Sequence, residues 1–251
     1  LQPNGRYEFV NANFTGSTNT KRMYGCDGVN KAFEFDGTVF VRITTGMTTD
    51  APSHIAFHLY HLFLSFFGSV QHSSPGFPYQ WSPITGASEL AMGDTVTGFA
   101  TQPAADSSAA LAIFTTGRLS ILYGTGLSNW KLLPYKDEIG AIAFTMQNMA
   151  QTVFLDIQGV TDLATAIEFG NFSHAVLTNQ VKTMLTGWRN TAIASSVCRD
   201  RSQYRLFFTN NYALYITMIG RKVIGVMPML FSHTVRCACA GMKSDNTEES
   251  Y

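Results

Sequence analysis

Along the chain the recurring pattern is an apolar run, a turn centred on glycine or asparagine, and a second apolar run, which is the signature of a β-hairpin. It first appears in AFEFDGTVFVRI, where Asp36 and Gly37 supply a two-residue turn between Phe33, Phe35 and Val39, Val41. It recurs in LFLSFFGSVQHS around Gly68, AIFTTGRLSILY around Gly117, VFLDIQGVTDLA around Gly159 and LFFTNNYALYIT around Asn210 and Asn211. These turns recur at intervals approaching the ~40–50 residues of a four-stranded propeller blade. Two of the hairpins are followed by a glycine-rich turn, a tryptophan and a further strand, ending at Trp81 and at Trp130. The segments AIAFTM at 141–146 and TAIASSVC at 191–198 read as additional strands, and TVRCACAG at 234–241 as the opening of another unit. Helical spacing occurs only from Ser173 to Leu185, where Val176, Val181, Met184 and Leu185 could line one face of a short helix.

A twisted hairpin pair cannot cover both of its faces and must stack on its neighbours. Radial closure solves that problem, so the expected fold is all-β: a β-propeller, or a large part of one, with about five to six four-stranded blades. A two-sheet β-sandwich is the alternative, since short, regularly spaced strands suit it too. The repeated tryptophan favours the propeller. The expected organisation is a single domain over residues 1–251, and the ends at Leu1 and Tyr251 read as those of a fragment of a longer chain.

Composition narrows the function classes. Of 251 residues 45% are hydrophobic and 14% charged, so much of the chain must be buried within the fold or against neighbouring chains. Seventeen basic residues balance seventeen acidic ones, which removes the basic footprint of a protein that tracks a nucleic-acid backbone. The longest apolar stretch, from His54 to Val70, is broken by histidines, serines and a glycine and falls short of a membrane helix.

The chemistry-bearing residues each have a structural reading. His54, His58 and His61 would converge as metal ligands on a helix, but the aromatic-rich surroundings favour a strand, on which His54 and His58 share a face and His61 points away. No acidic residue lies near them in sequence, and structural or interfacial histidines are expected. Cys26, Cys198, Cys237 and Cys239 form no CxxC pair or disulfide framework and read as buried thiols. Glycine-rich phosphate loops and nucleophile-elbow motifs are absent. The enzymatic alternative is a sialidase-like glycoside hydrolase, because SSPGFPYQW and GTGLSNW look like degraded sialidase turns, with Pro75 at the aspartate position of the first. Such a site needs clustered arginines and a tyrosine supported by a carboxylate. Arg42, Arg118, Arg189 and Arg205 are available, with Tyr123 and Tyr215, but no spacing links them. Thus no catalytic, cofactor-binding or metal-binding residues are assigned, and no cofactor is expected. A glycan-binding propeller is a further alternative, with Trp81 and Trp130 on display; packing between blades is the favoured reading of both.

The succession YGCDGVNKAFEFDG, SSPGFPYQW, LAIFTTGRLSILYGTGLSNWKL, FLDIQGVTDL with IEFGNF, and SQYRLFFTNNYALYI resembles the propeller region of tail proteins of tailed bacteriophages. It is similar to the nozzle or tail tubular proteins of short-tailed phages, and the resemblance spans the chain from about residue 20 onward. It rests on blade texture rather than on an invariant signature. It implies a virion structural protein assembled in the host cytoplasm, commonly a hexameric ring around the DNA exit channel. Its partners would be copies of itself and adjacent tail proteins, with DNA passing without sequence-specific contact. Lys and Arg are dispersed, with no run beyond Arg221 and Lys222. The hairpin tips at Gly37, Gly68 and Gly117 are the expected contact points.

Overall fold

The computed structural model describes residues 2–14, 16, 21–102, 110–124, 126, 128–149, 151–165, 172–178, 182–220, 222–245 and 247–250. They form five four-stranded antiparallel meanders and one two-stranded sheet, each built from strands consecutive in sequence. The chain divides into two compact units, Leu1–Asp137 and Glu138–Tyr251.

The first unit holds three meanders. Sheet one comprises β1 (Glu8–Ala12), β2 (Arg22–Cys26), β3 (Phe33–Phe35) and β4 (Phe40–Arg42). Sheet two comprises β5 (Ile55–His58), β6 (His61–Phe66), β7 (Ser69–His72) and β8 (Ser88–Ala91). Sheet three comprises β9 (Val96–Gln102), β10 (Ala110–Thr115), β11 (Arg118–Tyr123) and β12 (Lys131–Asp137). The second unit holds sheet four, with β13 (Gln147–Asn148), β14 (Thr152–Leu155), β15 (Val160–Thr165) and β16 (Phe172–Val176). Sheet five follows as β17 (Ala192–Cys198), β18 (Gln203–Phe208), β19 (Tyr212–Ile219) and β20 (Lys222–Leu230), then the pair β21 (Ala240–Met242) and β22 (Glu248–Ser250).

All five anticipated turns join paired strands. Gly68, Gly117, Gly159 and Asn211 each link the second and third strands of a meander, whereas Gly37 links the third and fourth strands of sheet one. The equivalent second turn of sheet one carries Gly28 at φ 74°, and measuring from it evens the repeat. There the Asp27 carboxylate accepts the Val29 and Asn30 amides at 3.0 and 2.6 Å. Asp27 thus performs the capping expected of aspartate in a turn.

Burial follows strand order. The inner strands β6, β10 and β14 are buried at every position, which explains their unbroken apolar runs, whereas the fourth strands β4 and β20 are largely exposed. Leu62, Leu64, Tyr24 and Ile55 pack sheet one on sheet two. Phe63, Val70, Leu111 and Ile113 pack sheet two on sheet three. Leu155, Val160, Tyr204 and Phe208 do the same for sheets four and five. Burial of this kind contributes about 25 cal/mol per Å² of apolar surface.

Three local expectations are corrected. AIAFTM at 141–146 is not a strand: it holds a turn with Phe144 at φ 63°, and pairing starts only at Gln147. TVRCACAG is irregular up to Ala240, because Val235 and Ala238 pack on the buried Phe207 and Ala213 instead of joining a ladder. The helix is shorter and later than its periodicity suggests, α1 (Lys182–Trp188), since Phe172–Val176 is drawn into sheet four as its edge strand. Leu185 is its buried residue and Met184 is exposed. Val181, Arg221 and the segment IEFGN lie outside the described residues.

A close approach in sheet one supplies a test. Phe9, Gly25 and Phe33 are register neighbours, and a Cβ on Gly25 would lie 2.6 Å from Phe33 Cζ and 2.9 Å from Phe9 Cδ1. Gly25→Val should therefore cost about 1–3 kcal/mol through displacement of both rings. The urea midpoint reads this out, and an unchanged midpoint would show that the rings yield freely.

Candidate functional site

Three features could carry function: an imidazole cluster, a buried carboxylate, and exposed apolar surfaces. The first arises because a two-residue turn, Leu59 at φ 47° and Tyr60 at φ 62°, interrupts the stretch read as one strand. His58 and His61 thereby become directly opposed partners on one face, which corrects the expectation that His61 points away from its neighbours. His72 arrives from β7, with its ring centroid 5.0 Å from that of His61. Trp130, just before β12, packs on both, tilted against His61 with centroids 4.6 Å apart and edge-on to His72 at 4.5 Å. Nδ1–H of His61 and of His72 both donate to the Ser73 carbonyl, at 2.6 and 3.0 Å. Beside them a cleft of about 480 Å³ is lined by Phe14, Leu59, Tyr60, His61 and Pro75 with three glycines. Burial lowers His58 and His72 to about 4, with a smaller effect of His61 on each, and lowers His61 as well. The rings are therefore neutral at pH 7.

His54 stands apart. It precedes β5, and its Nδ1 lies 3.2 Å from Glu8, an acidic partner 46 positions away that local sequence could not reveal. Among the described residues no group of three His, Cys, Asp or Glu side chains is placed to hold a metal ion.

The second feature escaped the sequence reading. Glu34 on β3 is buried, accepts the Tyr24 hydroxyl at 2.7 Å, and pairs with Arg22. Arg22 and Tyr24 alternate along β2, and Tyr24 is the register partner of Glu34. Tyr79 also bonds Glu34; burial first, and then the Glu34 charge, pushes Tyr79 up to about 12, and Tyr24 is raised by the same causes. Phenols raised so far stay protonated at neutral pH and are poor nucleophiles. This is a satisfied buried carboxylate that ties two strands to the loop after β7.

The arginines and tyrosines considered for a glycosidase are divided between the two units. Arg42 and Arg118 belong to the first unit, with Tyr123, while Arg189 donates to the Ile157 carbonyl in the second. Arg205 and Tyr215 meet, the guanidinium carbon 4.5 Å from the ring centroid and its nitrogens donating to Gln203. Trp81 packs on the core between sheets one and two and donates to the Pro78 carbonyl at 3.0 Å, and Trp130 packs on the core between sheets two and three. The two tryptophans thus occupy successive seams. Cys26 and Cys198 are buried, but Cys237 and Cys239 are exposed, which corrects the expectation for that pair; the segment runs outside any ladder.

Exposed apolar groups are scattered over loops and turns, such as Phe67 and Ile84, and also line sheet one and the edge of sheet five. On sheet one, Tyr7 and Phe9 stack at 5.7 Å and Phe33 and Phe40 at 4.6 Å, with Phe9 52% exposed. On sheet five, β20 is a nine-residue edge strand whose Ile224, Met227 and Leu230 are exposed, Leu230 by 67%. A long apolar edge is one that soluble chains usually blunt with charge.

No protein-family model matches the chain, and no curated protein matches it by sequence. Solved structures do match. Two crystal structures of BBS1N in complex with ARL6DN, one soaked with mercury and one with lead, superpose with TM-scores of 0.62 and 0.61 at 14% and 13% identity. Each alignment covers 98% of this chain and 74% of that one. The chain has a β-propeller fold, built of four-stranded antiparallel blades. Among the described residues no helix is long and apolar enough to cross a membrane.

Proposed function

We propose that this chain is a structural protein of a bacteriophage tail, a nozzle or tail tube-like component that works by assembly into a ring around the DNA exit channel and not by catalysis. The observation that carries this reading is the pair of exposed apolar surfaces, the aromatic stack of sheet one and the β20 edge, on a chain of zero net charge. Permanent subunit interfaces are more apolar than transient ones, and a neutral surface does not oppose close self-association. The resemblance of the blade texture to phage tail proteins supports the same reading, as does the dispersal of basic residues, which suits a lumen that passes DNA without gripping it.

Gene deletion in the phage that encodes the chain, followed by electron microscopy, tests this directly. Absent or shortened tails, or particles leaking packaged DNA, are expected. Intact particles lacking only a glycan-cleaving or glycan-binding activity would overturn the proposal. In the purified chain, Ile224→Asp with Leu230→Asp should lower self-association at least tenfold by sedimentation while leaving the circular dichroism spectrum unchanged.

A further inference from the structure

Three imidazoles and an indole fill the seam between sheets two and three with no anion among them. His58 Nε2, His72 Nε2 and Trp130 Nε1 are buried there without hydrogen-bond partners. We propose that this cluster is an acid-operated latch: protonation of His58 and His72 parts Trp130 from the His61–His72 face and opens the seam, and neutralisation recloses it.

The geometry fixes where the proton goes. At His72, Nδ1–H already donates to the Ser73 carbonyl, an acceptor that it shares with His61, so an added proton falls on Nε2. Neither Nε2 of His72 nor Nε2 of His58 has an acceptor in place. A buried cation without a hydrogen-bond partner is costly, and protonation of both His58 and His72 places two of them in one seam. Among the described residues no carboxylate is bonded to the three imidazoles: Asp94, before β9, accepts the Thr95 and Gly117 amides, and Tyr123 at the end of β11 is a half-buried phenol. Apart from the histidines themselves, β5, β6 and β9 carry no charged residue, and neither does the 73–81 loop. Glu89 on β8 is exposed and bonds the Ser69 hydroxyl, Lys131 beside Trp130 is exposed, and Arg118 is exposed at the start of β11. Tyr79 in that loop is engaged with Glu34. The cleft lined by His61 and Tyr60 gives water and protons a way in.

The direction of the pH dependence follows. In the closed seam His58 and His72 hold protons less well than in the open one, where they return toward 6.5. The closed state is therefore fully favoured above pH 6.5 and loses ground as pH falls toward 4. Opening should take up about two protons and be correspondingly steep in pH.

The test uses the full chain with Trp81→Phe and Trp188→Phe, so that Trp130 alone reports. Its emission should shift reversibly to the red with a midpoint between pH 4 and 6, while far-ultraviolet circular dichroism keeps its strand signal. His58→Leu with His72→Phe should move that midpoint down by at least one pH unit. An unmoved midpoint, no shift above pH 3.5, or loss of strand signal together with the shift would each overturn the latch. Should the double variant not fold, histidine Cε1–H resonances of the unaltered chain decide. Joint movement of His58 and His72 with the Trp130 indole proton supports the proposal, and independent titration near 6.5 refutes it.

Discussion

Tyr204→Ala should destabilise the second unit by about 4 kcal/mol, the range found when a large aromatic is truncated in a packed core. Tyr204 on β18 is fully buried among Leu155, Val160, Leu206 and Ile216, so its ring contributes to the packing of sheet four against sheet five. Its hydroxyl donates to the Thr145 carbonyl at 2.6 Å, which anchors the irregular 141–146 segment that leads into β13. Tyr204→Phe keeps the ring and abandons the hydroxyl's bonds to Thr145 and Ser195, leaving that carbonyl short of a donor, and should cost only about 1–2 kcal/mol. Equilibrium urea denaturation separates the two, and the melting temperature should fall by roughly 2–4 °C per kcal/mol lost. Equal losses in the two variants would mean that the hydrogen bond, not the ring, holds this core together.

The turn at Asp156 should be almost as sensitive. Between β14 and β15 the buried Asp156 carboxylate accepts the Gln158 and Gly159 amides through Oδ1, at 2.6 and 2.8 Å, and the Thr161 hydroxyl through Oδ2 at 2.8 Å. Its own amide donates to the Gly159 carbonyl at 2.9 Å, and Gly159 sits at φ 142°, a conformation that glycine adopts readily. Asp156→Ala strands the two buried donors, the Gly159 amide and the Thr161 hydroxyl, while the exposed Gln158 can turn to water, and should cost about 2–5 kcal/mol, since each abandoned buried group carries a desolvation penalty of about 1–3 kcal/mol. Asp156→Asn retains an acceptor for the two amides and should recover about half of that loss. Denaturation midpoints of the pair decide it. If asparagine were as damaging as alanine, charge and not acceptor geometry would be what the turn needs.

Both sites show why the repeat was readable and its anchoring was not. The VFLDIQGVTDLA hairpin announces itself through two apolar runs around Asp156 and Gly159, because turn chemistry is local. The Tyr204–Thr145 bond joins positions 59 residues apart, and nothing near either residue hints at the other. The same division holds at the histidines. Their lack of a nearby acid argued against a metal site in sequence, but which face each imidazole took depended on the turn at Leu59 and Tyr60, two bulky residues in the left-handed region that no turn rule selects. Nothing local marks Glu34 as a buried carboxylate; strand pairing sets it against Tyr24.

What the sequence determined by itself was the alternation of apolar runs and turn residues, and therefore the antiparallel meander and its repetition, since these depend on contacts within a few residues. Tertiary structure alone decided which side chains meet across the seams: Trp130 against His61 and His72, Glu8 against His54, and Val235 and Ala238 on Phe207 in place of a further strand. The physical reason is that a strand's own sequence specifies its face and its turn, whereas the partner on that face belongs to another blade. Its identity is fixed only when the blades pack and unpaired polar groups must find, or go without, a neighbour.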